Sequence, residues 1–254
     1  MAHYGPSWCI AVKTGVLFSG GKDSNLAVCR LLNAGHEVAV LISAIPKRDD
    51  SWMFHVPNIE RAGLQAESMG YPWERVEVSG VMDAELAEFE RGLLRISERW
   101  GLEAIGTGAI ASRYQRDRVE GMCRRLGLEC ISPLWAQNEE GLLKEMLALG
   151  FDVIFTSVSA EGLTKDWLGS RLDGQRISSL LKLNSKYRIN ISGEGGEYET
   201  FVCDSPLFKK RIKIISASLS WRHNSGTLSI DNVELVDKDQ VAGVHKSPSD
   251  GVSG

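Results

Sequence analysis

The sequence has no long apolar run: none approaches the roughly 18 consecutive residues that a membrane-spanning helix needs. It has few cysteines, five in 254 residues, at positions 9, 29, 123, 130 and 203. Their number is odd, their spacing irregular and no C-x-x-C occurs, which argues against a disulfide framework, a zinc ribbon or an iron–sulfur site. Cys29 and Cys123 fall on apolar helix faces, where packing is the expected role. The histidines are scattered and form no cluster with cysteine at ligand spacing, so a protein-held zinc is not expected. Positive charge is not in excess either: 29 Lys and Arg stand against 33 Asp and Glu, a net charge of −4. Such a chain has no general attraction for nucleic acid. The N-terminal Met1-Ala2-His3-Tyr4-Gly5-Pro6-Ser7-Trp8 lacks the basic and apolar regions of a signal peptide. A cytoplasmic protein with no membrane partner is expected.

What is present is an alternation of strand-like and helix-like segments. Val12 to Ser19 reads as a first strand and Ser24 to Asn33 as a first helix, with Gly35 just past its end. Glu37 to Ile45 is an apolar run long enough only for a buried strand. A helix capped by Asn58 reaches to about Met69, and Glu74 to Val78 is a third strand. Met82, Leu86, Phe89, Leu93, Ile96 and Trp100 recur at steps of three and four, which draws one apolar stripe along a helix. Short strands at 103–105 and 129–131 then flank a helix at 112–126. This rhythm predicts an α/β fold: a doubly wound parallel sheet with ligands at the C-terminal ends of its strands. After Pro133 the rhythm changes. A helix at 139–149, a strand at 152–158 and a helix at 174–183 precede alternating segments at 211–214, 218–221 and 227–235. Asn224-Ser225-Gly226 supplies a turn between the last two, so a β-hairpin is expected there. The expected organisation is a nucleotide-binding domain at 1–133, a smaller α/β domain at 134–236 that closes over it, and a disordered tail at 237–254.

Three motifs carry chemistry. The first, Ser19-Gly20-Gly21-Lys22-Asp23-Ser24, follows the apolar Val16-Leu17-Phe18 and opens the first helix. Adjacent glycines let the backbone approach a ligand closely, and the helix start offers unpaired N–H groups and the positive end of its dipole, an anion site. It is not a Walker A loop, because Val16 stands where the first Gly belongs and Asp23 where the Ser or Thr belongs. An ordinary glycine turn with a Ser or Asp cap is the bland alternative. The second motif, Gly106-Thr107-Gly108-Ala109-Ile110-Ala111, also follows a strand and opens a helix. On its own it satisfies G-x-G-x-x-A, but a Rossmann fingerprint belongs on the first strand, which already carries a phosphate loop. Two neighbouring strand ends sharing one nucleotide is the better reading. On the helix that follows, Tyr114 and Arg118 share one side with Gln115 beside them, so Arg118 would reach a phosphate or a carboxylate in bidentate fashion. Arg116 and Asp117 read as solvated.

The third motif, Gly193-Glu194-Gly195-Gly196-Glu197-Tyr198-Glu199-Thr200-Phe201, packs three glycines and three carboxylates into nine residues. It reads either as plain acidic surface or as a loop lining the cleft. In the second case a carboxylate, with Glu197 the candidate beside Asp23, would hold Mg²⁺ or orient an incoming amine. His55, among aromatics after the second strand, is either a packed imidazole or a site residue.

The hexapeptide at 19–24 resembles the pyrophosphate loop of the ATP pyrophosphatases, in which Ser19, Ser24 and the loop amides would hold the β,γ-pyrophosphate and Lys22 would offset its charge. With Trp52-Met53-Phe54-His55, the segment 108–120, Pro133-Leu134-Trp135 and the acidic loop at 193–200, all in this order, the chain resembles the diphthine–ammonia ligases. The resemblance covers roughly residues 13 to 215. It implies the adenine-nucleotide α-hydrolase-like fold and a carboxylate on a modified histidine of elongation factor 2 that is adenylated by ATP and amidated by ammonium, releasing AMP and pyrophosphate. It further implies ATP-binding roles for the 19–24 loop with Gly106 and Gly108. Catalytic or substrate-binding roles fall to His55, Ser112, Tyr114, Gln115, Arg118, Glu120, Glu194, Gly195, Gly196, Glu197, Tyr198, Glu199 and Thr200, and Mg²⁺ to Asp23 and Glu197. The compact form points to an archaeal relative, and a homodimer is one arrangement open to it. Two rivals remain at this point. A tRNA-modifying enzyme with the same loop would want a reactive cysteine pair or a basic surface, and a nucleotide sensor would bind ATP without turning it over.

Overall fold

The computed structural model describes residues 11–48, 57–81 and 84–238. Trp52-Met53-Phe54-His55, Met82 and the tail beyond 238 lie outside these, so the expectations for them have no structural counterpart here. The first sheet has five parallel strands, β1 (Lys13–Leu17), β2 (Glu37–Pro46), β3 (Trp73–Val78), β4 (Ala104–Gly106) and β5 (Glu129–Ile131), in the order β3-β2-β1-β4-β5. Helices α1 (Lys22–Asn33), α2 (Ala62–Met69), α3 (Glu85–Trp100) and α4 (Arg113–Leu126) connect them. The fold is the doubly wound one expected. Strand order reverses between β1 and β4, which pair directly with Val16 opposite Gly106. The crevice of an open α/β sheet lies at such a switch point.

The apolar stripe of α3 does what its period predicts: Phe89, Leu93 and Ile96 are buried against Val76 and Val78 of β3. Gly92 allows the close approach, since a Cβ there would meet Val76 at 2.3 Å. Cys29 and Cys123 are buried within helix faces, as packing residues are. Among the described residues no helix is long and apolar enough to cross a membrane.

The second sheet is antiparallel, in the order β7-β6-β9-β8, from β6 (Asp152–Val158), β7 (Tyr198–Asp204), β8 (Lys210–Arg222) and β9 (Ser225–Asp237). Helices α5 (Glu139–Ala148) and α6 (Gly174–Tyr187) accompany it. Two expectations are corrected here. The segments at 211–214 and 218–221 are one thirteen-residue strand, continuous because its β9 partner runs the whole length with only local irregularities near Ser216. The end of the acidic motif is not loop, because residues from Tyr198 onward enter β7 and pair with β6. The expected hairpin is present and turns at His223-Asn224.

The two sheets share one core. Val16, Phe18, Leu26 and Ala66 from the first join Leu142, Phe155, Tyr198 and Val202 from the second in a single buried cluster, while α3 and α4 cover the opposite face of the parallel sheet. Side chains also cross between them. Asn58 donates to the Leu228 carbonyl and accepts the Ile230 N–H, and Arg61 donates to the carbonyls of Ile230 and Asp231, so β9 has polar partners at 228–231, just past its short pairing with β6. Phe155 sits at the centre, fully buried, edge-on to Trp167 at 5.0 Å and to Tyr198 at 5.1 Å. Replacing Phe155 with Ala is expected to cost about 3–5 kcal/mol of stability. Urea denaturation measures this, and a loss well under 1 kcal/mol would mean that the ring does not support the core.

Candidate active site

The end of β1 leads directly into the glycine loop. Gly20 adopts a left-handed conformation (φ 79°) that turns the chain, and α1 begins at Lys22 with Gly21 at its cap position. Because Gly21 has no side chain, the cap residue itself places no acceptor on the first turn. That is the arrangement an incoming anion requires. The Gly21 N–H donates to Ser19 Oγ at 3.3 Å and the Ser24 hydroxyl to the Gly21 carbonyl at 3.0 Å, which gathers both serines at the loop. Asn25, also buried, donates its side-chain amide to the same carbonyl.

Residues of the second sheet complete the loop. The Lys22 N–H donates to Thr200 Oγ1 at 3.1 Å, and the Val202 N–H donates to the Gly20 carbonyl. The Lys22 ammonium is buried, pairs with Asp23 at 2.8 Å, donates to the Ser192 carbonyl and lies 5.0 Å from the centre of the Tyr198 ring. Burial opposes its charge, but Asp23, Tyr198 and Glu199 outweigh burial and hold the group above its ordinary pKa. The cation is therefore permanent near neutral pH. It stands beneath the loop, inside the protein, rather than at its open mouth.

The loop after β4 lies against this one. A Cβ on Gly108 would meet the Asp23 carbonyl carbon at 2.8 Å, so only glycine allows the two strand-end loops to touch. Gly106 serves packing instead, with Leu31 of α1 filling the space beside it. Ser112 caps α4, accepting the Gln115 N–H at 3.4 Å. Glu194 crosses from the second sheet's side and accepts the N–H groups of Ile110, Ala111 and Ser112.

The remaining carboxylates of the acidic motif have separate positions. Glu197 accepts the Asn190 N–H at 2.8 Å, within its own turn. Glu199 on β7 is the one whose charge bears on Lys22 and Asp23. Glu197 keeps its second oxygen, Oε2, buried and without a hydrogen-bond partner, as Asp23 keeps Oδ1. Gly193 and Gly196 both have positive φ, at 78° and 83°, which the tight 193–196 turn requires.

Other expected residues lie further along α4. Arg118 stacks on the exposed Tyr114 ring at 3.2 Å and donates to the Tyr114 carbonyl. Glu120 pairs with Arg116, whose guanidinium stands over Trp135 at 4.3 Å. Arg116 is thus packed and paired, not solvated as its sequence context suggests, because Trp135 supplies a face that only the tertiary fold brings near.

Several site residues belong to no motif. Gln65 on α2 is fully buried and donates its amide to both the Gly20 and the Val202 carbonyls, at 2.9 and 2.7 Å. Its signal is a polar side chain on an otherwise apolar face, three residues after Ala62 and four before Met69. Glu139 accepts the N–H groups of Ile191 and Ser192, which fixes the carbonyl that Lys22 uses. As the first residue of α5 it reads from sequence only as a helix-start carboxylate.

The residues fit a nucleotide with its metal. Asp23 Oδ1 is buried with no hydrogen-bond partner, and the cap residue of α1, Gly21, places no side chain over the first turn. Among the described residues no group of three or more His, Cys, Asp or Glu could hold an ion alone. A metal here would come with phosphates and rest on one or two carboxylates, as Mg²⁺ does.

Fold and site define a doubly wound α/β protein with a glycine loop opening a helix at the switch point of its sheet. The chain matches the diphthamide synthase N-terminal domain over residues 12–130 and the diphthamide synthase C-terminal domain over residues 138–236, and it belongs to that family. It is 37% identical over 227 residues to the diphthine–ammonia ligase of Bos taurus, covering 82% of this chain and 85% of that protein. The human diphthine–ammonia ligase is 36% identical over the same shares. The diphthine–ammonia ligase of Schizosaccharomyces pombe is 38% identical over 88% of this chain, which spans 39% of that longer protein. The solved U34-tRNA thiolase NcsA of Methanococcus maripaludis is 18% identical over 69% of this chain and 67% of its own, with a TM-score of 0.36, a likeness on which nothing rests.

Burial pushes the Glu199 carboxyl up to about 7 from an ordinary 4.5, against the opposing pull of Lys22. Its folded pKa lies above its unfolded one, so the folded state binds the extra proton between these values. Stability of the nucleotide-free protein is therefore expected to fall as pH rises from about 4.5 toward about 7. In Glu199→Gln that slope should flatten, as read from chemical denaturation at several pH values. An unchanged slope would show that Glu199 does not carry it.

Proposed function

We infer that this chain is an ATP-dependent ligase of diphthamide biosynthesis, which amidates the carboxylate of diphthine with ammonium and releases AMP and pyrophosphate. One observation carries the chemistry: the glycine loop after β1 and the G-x-G loop after β4 are in contact through Gly108, at the switch point of the sheet. A nucleotide spanning the two has its outer phosphates at the first and its adenylate half at the second. Membership in the diphthamide synthase family and relatives named diphthine–ammonia ligase support the substrate. Neither the tRNA-modifying nor the sensor reading is favoured by them.

A carboxylate resists attack by ammonia until an oxygen becomes part of a leaving group. In the proposed reaction the substrate carboxylate attacks the α-phosphorus and pyrophosphate departs. Ammonia then adds to the activated carbonyl and AMP departs. The protein stabilises the charge that develops on the departing pyrophosphate through the first-turn amides of α1, Ser19 and Ser24, with Lys22 as a fixed cation below them. Asp23 and Glu197, each through a buried carboxylate oxygen without a partner, are the residues that would hold Mg²⁺, which neutralises phosphate charge when bound. Tyr114, Gln115 and Arg118, exposed or partly so at the start of α4, are proposed to face the protein substrate. That substrate is proposed to be elongation factor 2 carrying diphthine, encountered in the cytoplasm. We further propose the nucleotide domain at 1–133, the smaller domain at 134–236, and a homodimer as the assembly.

Incubation with ATP, ammonium and diphthine-bearing elongation factor 2 is expected to yield AMP and a mass decrease on the factor of about one unit, OH replaced by NH2. ADP and orthophosphate as products would overturn the reading. Asp23→Asn, which preserves size, should lower AMP formation roughly 100-fold or more. A variant with full activity would remove Asp23 from the site.

A further inference from the structure

One turn of the second sheet's side, residues 190–197, touches both nucleotide loops. At one end the Ser192 carbonyl receives the Lys22 ammonium. At the other the Glu194 carboxylate takes three consecutive N–H groups, those of Ile110, Ala111 and Ser112, where the second loop enters α4. The turn is itself immobilised from several directions. Glu139 accepts the N–H groups of Ile191 and Ser192, Glu197 accepts the Asn190 N–H, and the Tyr198 hydroxyl donates to the Ile191 carbonyl. Ser159 binds the far end through the Gly196 and Glu197 carbonyls. Glu194 thus projects from a braced turn and cannot swing freely.

We propose that the 190–197 turn is a brace that holds the pyrophosphate loop and the adenylate loop in fixed register against each other, and that Glu194 is its positioning residue on the adenylate side. This rests on the nucleotide placement proposed above. Glu194 does not touch the reacting atoms. It holds three backbone donors in one orientation, a task that needs both carboxylate oxygens and full negative charge. A glutamine of the same size would offer one oxygen and turn an NH₂ group toward donors. The 108–112 segment would then lose its anchor, while the loop at 19–24 keeps the contacts it makes with Thr200, Val202 and Gln65.

The division between the two halves makes the test specific. Calorimetric titration with AMP and, separately, with inorganic pyrophosphate is compared for the unmodified protein and for Glu194→Gln. The variant is expected to bind pyrophosphate within about twofold of the parent and AMP at least tenfold more weakly. Amide hydrogen exchange should quicken at Ile110 and Ala111 but not at 20–24. Equal loss for both ligands would overturn the proposal, because it would mean a general loss of structure. Unchanged AMP binding would overturn it as well, and tighter AMP binding would show instead that Glu194 plugs an anion site. Glu194→Asp, which retains the charge but withdraws it by one methylene, carries the same comparison if the glutamine variant does not fold. If the parent protein binds neither AMP nor pyrophosphate, the nucleotide placement fails first and the proposal with it.

Discussion

The site depends on a glycine loop that belongs to one sheet but is held by the other. The Gly20 carbonyl accepts from the Val202 N–H and from Gln65, the Lys22 N–H donates to Thr200, and the Lys22 ammonium reaches Ser192. A loop with two adjacent glycines has many conformations open to it when free, and ordering it costs entropy. Here that cost is met by polar contacts with β7, next to a core that the two sheets share. The amides proposed to bind an anion are thus in position before any ligand arrives, the condition under which electrostatic stabilisation is most effective.

The distribution of carboxylates follows from the same arrangement. A phosphate site of the kind proposed, inside an acidic chain, has to keep its negative groups occupied or distant. Glu194 is occupied by three backbone amides, Glu139 by two backbone amides and the Asn190 side-chain amide, Glu197 by one amide on one oxygen, and Asp23 by Lys22 on one oxygen. Glu199 stands apart: it feels Lys22 and Asp23 but has burial as the dominant influence on its charge. Three glutamates in one short motif therefore have three different physical situations, set by which way each points from a turn or a strand.

Much of the fold was legible along the chain. The doubly wound sheet follows from strand–helix alternation, and α3 from its apolar stripe, because periodicity reports directly which face is buried. The glycine loop was legible because its residues are contiguous and each has a local reason. The start of β7 was hidden by the composition of the acidic motif, where glycine and glutamate mask a strand whose burial comes from α1 and β6. The continuous length of β8 was hidden because its partner, not its own alternation, extends it. Gln65 and Glu139 could not be assigned at all, since each acts on backbone groups more than forty positions away.

By itself the sequence determined the elements that arise from near neighbours: the strand, glycine turn and helix at 13–33, the second glycine loop, and the absence of membrane-spanning helices among the described residues. Family likeness, carried by contiguous motifs, was equally visible. Only the tertiary structure decided that the Lys22 ammonium reaches the Ser192 carbonyl, that Gly106 packs while Gly108 brings two loops into contact, and that Glu194 anchors α4. Those assignments depend on the direction of side chains from separate elements. Direction is set by how the two sheets pack, a long-range property that no local spacing encodes.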